Sequence, residues 1–464
     1  MTRARSLLPW AVWTVAALSY AVAIINRSSL AALGPAAQDH FGIDATTLSA
    51  FPVIQLIVYA GLQIPVGILL DRVGATTMIL IGGALMIVGQ VTMATVPDVG
   101  LAILARVLVG AGDACSFISV MRMLPEWFPA RQLPTVSQLT GLVGQAGQLV
   151  SVTPLALMVA GFGWASGFLA VAAVGFLVTL LAALVLRDSP GTGTALERIF
   201  GRTGGITRRS AAYQPQGGAS SVEIAPPATG LIEMPPQGRV RRGLGFWQRA
   251  RRLLRLPGVR LAYWVHFTSP FASNTFILLW GTPFLVGGVG LSRGAAAGLL
   301  SLTILSSMAA GFLLGPLTSR FLERRVGIAA GITVAIALVW IAVLLWPGTP
   351  PTWLLVLLMV VMPIGGPASM ISFEVGRSHT PRSFSGFGTG LVNTAGFTAT
   401  LLVILLIGLV LDVQGAGSPE NYSLGAFRVA FAVQLPFWVL GLVFMGIEYR
   451  RTKRWMDEQG RRLR

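Results

Sequence analysis

Long apolar runs, repeated along the chain and unbroken by charge, restrict what this sequence can fold into. Residues 78–96, 168–186 and 328–346 are examples. Each approaches the roughly 20 helical residues that cross a hydrocarbon core about 30 Å thick. A backbone in lipid must satisfy its own polar groups, which leaves helices or closed barrels. Barrel strands alternate apolar and polar residues, and these runs do not, so they are read as transmembrane helices. Of 464 residues, 54% are hydrophobic and only 11% are charged. A soluble domain carries about 25% charged residues.

Twelve spans are predicted, over residues 8–36, 46–70, 75–96, 100–124, 134–160, 163–186, 259–286, 293–317, 326–347, 352–376, 384–411 and 424–447. The fold class is an all-α membrane protein, its twelve transmembrane helices arranged in two pseudo-symmetric six-helix bundles. The expected domains are a first bundle over 1–186, a linker over 187–258, a second bundle over 259–448 and a basic tail over 449–464. The linker is rich in Gly, Pro, Ser and Arg and too poor in apolar residues to build a core, so most of it is predicted to be disordered. Its end, residues 246–256, alternates Arg with Leu and Trp, the pattern of a basic amphipathic helix on a membrane surface. Arg3 and Arg5 ahead of the first run imitate a signal peptide. No small-residue cleavage site stands out, so that run is read as the first span.

The formal charge is +17. In a soluble protein this would suggest nucleic acid, but the basic residues sit in alternate loops. Arg72, Arg122, Arg131, the linker arginines, Arg320, Arg324, Arg325, Arg377, Arg382, Arg450, Arg451, Lys453 and Arg454 fall on one side. Asp39, His40, Asp98, Asp412 and Glu420 fall on the other, with Arg293 the exception. The positive-inside rule then places both termini and the linker in the cytoplasm and the chain in the cytoplasmic membrane. Cys115, the one cysteine, excludes an internal disulfide and a cysteine metal cluster. No glycine-rich stretch leads into Gly-Lys-Ser/Thr, which argues against a nucleotide-driven pump. No catalytic group, metal site or cofactor is predicted, and the expected state is a monomer.

The two halves repeat. Gly67-x-x-x-Asp71-Arg72 after the second span parallels Gly315-x-x-x-Ser319-Arg320 after the eighth. Gly141-Leu-Val-Gly-Gln-Ala-Gly147 in the fifth span parallels Gly390-Leu-Val-Asn-Thr-Ala-Gly396 in the eleventh, and Ser116-Phe-Ile-Ser119 parallels Ser369-Met-Ile-Ser372. Duplicated units around a midplane site are the architecture of secondary transporters.

The stretch Gly67-Ile-Leu-Leu-Asp71-Arg72-Val-Gly74 resembles the signature loop of the major facilitator superfamily, Gly-x-x-x-Asp-Arg-x-Gly. The glycines let helices approach, and the acid can pair with the start of a neighbouring helix in one conformation only, which biases a two-state equilibrium. Ala75-Thr76-Thr77 follows where the family usually has basic residues. Gly67, Asp71, Arg72, Gly74, Gly315 and Arg320 are therefore the candidate gating residues. In the fourth span Arg106, Gly110 and Asp113 are spaced to share nearly one face. Charges at mid-bilayer cost roughly 2.5–3.5 kcal/mol each, so they should point into the bundle.

With Arg27 and Pro35 of the first span, Tyr59-Ala-x-x-Gln63-Ile-Pro65-x-Gly67 of the second, and Arg106-x-x-x-Gly110-x-Gly112-Asp113 of the fourth, the N-terminal half resembles the anion:cation symporters and the neighbouring organophosphate antiporters. The resemblance implies that Arg27 binds a substrate anion in a cavity and that the fourth-span acid, here Asp113 in place of the usual Glu, responds to protons beside Arg106. The family's first-span Asp is Asn26 in this chain, which leaves Asp113 as the proton carrier. Organophosphate antiporters use a second Arg in the seventh span; here that span offers His266, Asn274 and Thr275 instead, which favours a carboxylate over a phosphate dianion. The candidate substrate-binding residues are Arg27, Tyr59, Gln145, Asn274 and Asn393, and the proton-coupling pair is Asp113 and Arg106. His266 is read as a packing residue, and Glu374 with Arg377 as a cytoplasmic helix-end pair. The expected partners are a small organic anion, protons and the lipid bilayer, without nucleic acid. The expected function is uptake or export of that anion, by proton symport; the alternatives are an efflux antiporter of amphipathic compounds and a non-transporting sensor on the same fold.

Overall fold

Helix starts follow local chemistry. Pro9 stands in the first turn of α1 (Leu8–Ser28), where no N–H donor is needed. The Asp98 carboxylate accepts from the Leu101 N–H at 2.8 Å and opens α5 (Val99–Trp127), as an N-cap does. Gly74, at φ +88°, turns the chain between α3 (Ala45–Val73) and α4 (Ala75–Thr95), a conformation that favours glycine.

This computed structural model describes residues 7–30, 33–43, 45–152, 154–199, 246–417 and 419–460. After α1 come α2 (Gly34–Phe41), α3, α4 and α5. Then follow α6 (Leu133–Val152), α7 (Pro154–Phe162), α8 (Trp164–Val185), α9 (Ala195–Ile199) and α10 (Phe246–Leu254). The second half holds α11 (Pro257–Thr268), α12 (Phe271–Thr275), α13 (Gly281–Pro283), α14 (Arg293–Arg320), α15 (Arg325–Leu345), α16 (Thr352–Val361), α17 (Gly365–His379), α18 (Ser385–Val413), α19 (Leu424–Ala432) and α20 (Gln434–Asp457). Among the described residues, ten helical segments are long and apolar enough to span a bilayer. The other two spans are α6 with α7, and the chain from α11 to residue 288. The fold is all-α, with twelve spanning helices.

Three spans, the first, the seventh and the last, differ from the sequence reading. The first was expected to run to residue 36, but α1 stops at Ser28 and helix resumes at Gly34. The fifth is described as α6 and α7, on either side of residue 153, which lies outside the described residues. The seventh breaks at Ser269–Pro270 and then alternates: π-helix over Phe276–Trp280, one α turn at α13, and π-helix again over Phe284–Gly288. A proline inside an apolar run explains a break of this kind. The last span carries on through Asp457, so the basic tail expected from residue 449 begins as a continuation of α20. In the linker the expected amphipathic helix is α10. The linker's first residues, 187–199, are ordered, with α9 among them and Asp188 bonded to the Thr76 N–H, and the remainder of the stretch predicted to be disordered, 200–245, lies outside the described residues.

Outward faces are apolar: Phe176, Leu177, Leu180 and Leu184 on α8 are all exposed, as expected of lipid-facing residues. Close helix approach relies on small residues. A Cβ on Gly112 would lie 2.4 Å from the Gly82 carbonyl oxygen, so α4 and α5 touch backbone to backbone. The second half is filled by an aromatic core of Phe271, Phe276, Phe284, Trp340 and Phe431. Between the halves, α3 packs on α18 and α6 on α14, and these two crossings frame the central cavity.

Candidate functional site

The site is built where α1 ends against α5. Arg27, in the last turn of α1, donates from Nε to Asp113 Oδ2 at 2.6 Å and from Nη2 to Asp113 Oδ1 at 3.0 Å. This is a bidentate pair, the strong form of a charge-assisted contact. Asp113 is fully buried, while the Arg27 side chain keeps 21% exposure. The guanidinium lies 4.3 Å from the Tyr59 ring centroid and 5.9 Å from that of Phe397, within cation–π range. Two of its five N–H donors are spent on Asp113, so the fork retains donors for a second anion.

A cavity of about 190 Å³ opens beside it, lined by Arg27, Tyr59, Gln145, Asn274 and Asn393 among others. All five residues expected to bind substrate thus share one space. Four of them also hold the halves or their own bundle together. Asn393 Nδ2 donates to Tyr59 Oη at 3.2 Å and to Gln63 Oε1 at 2.7 Å, from α18 to α3. Gln145 Nε2 donates to Ser307 Oγ at 2.9 Å, from α6 to α14. Asn274 Nδ2 reaches Thr400 Oγ1 at 3.5 Å. His266 lines the same cavity, and its Nδ1 lies 3.0 Å from Ser372 Oγ. Packing and cavity lining therefore coincide at this residue.

Arg106 is not placed beside Asp113. Its Nη1 donates to the Asn26 carbonyl at 3.2 Å and its guanidinium to Ser29 Oγ at 3.2 and 3.3 Å, away from the cavity. The seven-residue spacing is about two helical turns, roughly 10 Å along α5, so one face does not mean one contact. Arg106 instead caps the orphan carbonyl end of α1, where the helix dipole favours a cation. Asn26 stands beside it, and Asn26 Oδ1 and Arg106 Nε are buried without a hydrogen-bond partner among the described residues.

At the end of the molecule that carries the arginine-rich loops, Asp71 accepts from the Gly386 N–H at 2.7 Å and the Phe387 N–H at 3.0 Å. These are the first turn of α18, as the loop motif anticipates. Gly67 is needed there because a Cβ would lie 2.7 Å from the Gly386 carbonyl oxygen. The repeat places Gly315 against Thr135 and Gln138 of α6, with Ser319 Oγ 3.2 Å from Thr135 Oγ1. Arg72 and Arg320 are exposed. Gly74 packs on Asp188, whose carboxylate accepts from the Thr76 N–H at 2.8 Å and caps α4.

Two contributors escape the sequence reading. Glu374 pairs with Arg377 at 3.2 Å, as expected, but also accepts from Ser137 Oγ at 2.8 Å across the two halves. Gln138 Nε2 adds a bond to the Pro367 carbonyl at 2.7 Å. An acid in an otherwise neutral tenth span was the available signal; its partner on α6 had none.

Two helical bundles that touch at one end through the Asp71 and Ser319 contacts, around a cavity walled by the Arg27–Asp113 pair, have the architecture of a membrane transporter. The chain belongs to the Major Facilitator Superfamily, whose profile matches residues 16–404. It is similar to a probable galactarate/D-glucarate transporter of Bacillus subtilis (strain 168), 25% identical over 453 residues, covering 92% of this chain and 90% of that one. A probable L-galactonate transporter of Escherichia coli (strain K12) is 24% identical over 200 residues, 42% of this chain and 44% of that one. Among solved structures, the Escherichia coli fucose:proton symporter superposes with a TM-score of 0.63 at 16% identity, over 92% of this chain and 98% of that one. A proton:xylose symporter superposes with a TM-score of 0.66 at 14% identity, over 94% and 95%. The family's members are transporters rather than enzymes.

Proposed function

We propose that this protein carries a small hydroxylated carboxylate across the cytoplasmic membrane, together with a proton, by alternating access. The observation that carries the reading is the Arg27–Asp113 pair at the cavity wall: one cation, partly exposed to the cavity, holding one carboxylate that is not. A substrate carboxylate that takes the Arg27 fork removes Asp113's counter-charge. A buried carboxylate without its partner is neutralised by a proton, so anion and proton are bound together. The linkage is reciprocal. The neutral amides of Gln145, Asn274 and Asn393 suit hydroxyl groups better than a second carboxylate, which would meet no cation there. The L-galactonate named for one relative agrees with this chemistry, whereas the galactarate and D-glucarate named for another share its hydroxyl groups but carry a second carboxylate. On this reading both termini lie in the cytoplasm, and the Asp71 and Ser319 contacts close the cytoplasmic end.

The test is uptake into proteoliposomes of hydroxylated mono- and dicarboxylates, with and without an inward proton gradient. Monocarboxylate accumulation that follows the proton gradient is the expected result. Transport that ignores the gradient would remove the coupling, and transport of neutral sugars or amphipathic cations alone would remove the substrate class.

A further inference from the structure

The helix at the end of the linker has two different faces. On one, Leu253 is fully buried in a cluster with Val259, Phe384, Phe387 and Leu391. The Arg249 and Arg252 guanidinium groups lie 5.6 and 5.8 Å from the Phe384 ring centroid. This face therefore seats on the first turn of α18, the same turn whose N–H groups Asp71 holds. On the other face, Trp247, Arg251 and Leu254 follow at spacings of four and three, Arg255 comes directly after the helix, and all four are exposed. The end of the helix is tied to the next span, because Arg260 Nη1 donates to the Leu254 carbonyl and Arg260 Nη2 pairs with Glu448 at 2.8 Å.

A stripe that combines an exposed Trp and Leu with two arginines is poorly matched to water or to a purely acidic partner. It fits the boundary between headgroups and acyl chains, where an indole ring and guanidinium groups are both satisfied. We infer that α10 is an anionic-lipid contact whose occupancy stabilises the closed end of the transporter through Leu253 on the first turn of α18. The inference rests on the reading of the Asp71–α18 contact as part of an alternating-access gate. Lipid phosphates on Arg251 and Arg255 hold α10 in the interfacial plane. The buried Leu253 then keeps Phe384 and Phe387 where the Asp71 carboxylate can reach the Gly386 and Phe387 N–H groups. Neither arginine belongs to the cavity.

The experiment needs no substrate, so it stands apart from the carboxylate assignment. The full chain carrying Arg131→Cys and Arg382→Cys is spin-labelled at these two exposed positions on opposite halves of the basic end. It is reconstituted in phosphatidylcholine, or in a three-to-one mixture of phosphatidylcholine and phosphatidylglycerol. With an attraction of about 1 kcal/mol per arginine at an anionic surface, the two arginines shift the closed-to-open ratio toward closed by up to roughly 30-fold, at about 1.4 kcal/mol per decade. In Arg251→Gln/Arg255→Gln, whose substitutions are exposed, the shift should vanish while the phosphatidylcholine distribution is kept. Leu253→Ala should retain the lipid contact, read by quenching of Trp247 with brominated lipid, and lose the shift. A distribution indifferent to phosphatidylglycerol overturns the lipid assignment and leaves the face to an acidic protein. A shift that persists in the double arginine variant overturns it as well. One unchanging distance in every lipid and also in Asp71→Asn removes the gate reading, and this inference with it.

Discussion

Asp71→Asn isolates the contact at the start of α18. In the native chain each carboxylate oxygen receives one N–H, at 2.7 Å from Gly386 and 3.0 Å from Phe387. The asparagine keeps one acceptor oxygen. Its amide nitrogen must then face the second N–H, donor against donor. Losing one hydrogen bond to a charged group costs about 1.5–3 kcal/mol. Losing the negative charge at a helix N-terminus adds about 0.3–1 kcal/mol. The sum is about 2–4 kcal/mol against the closed end, or roughly 30- to 700-fold in the closed-to-open ratio at about 1.4 kcal/mol per decade. The cavity itself is untouched, so the protein should insert and fold normally. The assay is the distance between labels at positions 131 and 382, with transport measured in parallel. A native distance distribution in Asp71→Asn would refute the reasoning, because it would mean that the two N–H groups keep their partner, or need none, in both conformations.

Arg27→Lys should keep the charge but lose the fork, and weaken substrate binding by about 10- to 100-fold in a direct titration. Asp113→Asn should retain substrate exchange between the two sides yet lose accumulation driven by a proton gradient; pH-driven accumulation in that variant would exclude Asp113 as the carrier. Glu374→Gln should loosen the Ser137 and Arg377 contacts and shift the 131–382 distance toward open by about 1–3 kcal/mol, without changing affinity at Arg27. Deleting residues 205–235, a stretch with too few apolar residues for a core, should leave transport intact in proteoliposomes; loss of transport with normal insertion would favour a regulatory role for the linker.

Much of this architecture can be read from the sequence, and the reason is solvent. Lipid forces long apolar helices, so span number and loop charge are written in composition. The duplicated Gly-x-x-x-Asp-Arg and Gly-x-x-x-Ser-Arg stretches point to matching contacts, and the structure places both against a neighbouring helix of the other half. Arg27 and Asp113 meet, as the last turn of the first span and the middle of the fourth allow. What hydropathy does not carry is helix rotation and helix ends. Small residues after Ser28 look like continuing helix because they are apolar enough, and no window distinguishes a break there. Arg106 shares a face with Asp113 on paper, yet a side chain two turns away finds the nearer carbonyl of Asn26. Ser137 is one of many small polar residues in the spans, and only the packing of α6 on α17 makes it the partner of Glu374.

The two π-helical stretches of the seventh span carry a consequence for how this half can move. In hydrocarbon a helix cannot hinge by opening its backbone bonds, since each unbonded group costs several kcal/mol. A π turn stores a surplus residue inside a ladder that is still bonded. Passing that surplus along the helix turns each residue it passes by about 100° while leaving no carbonyl bare. The chain from Phe276 to Gly288 holds two such parcels of slack, one on each side of Gly281, a turn or so beyond the cavity residue Asn274. Twist can be taken up there and handed back, much as a coiled cord shortens and lengthens without being cut.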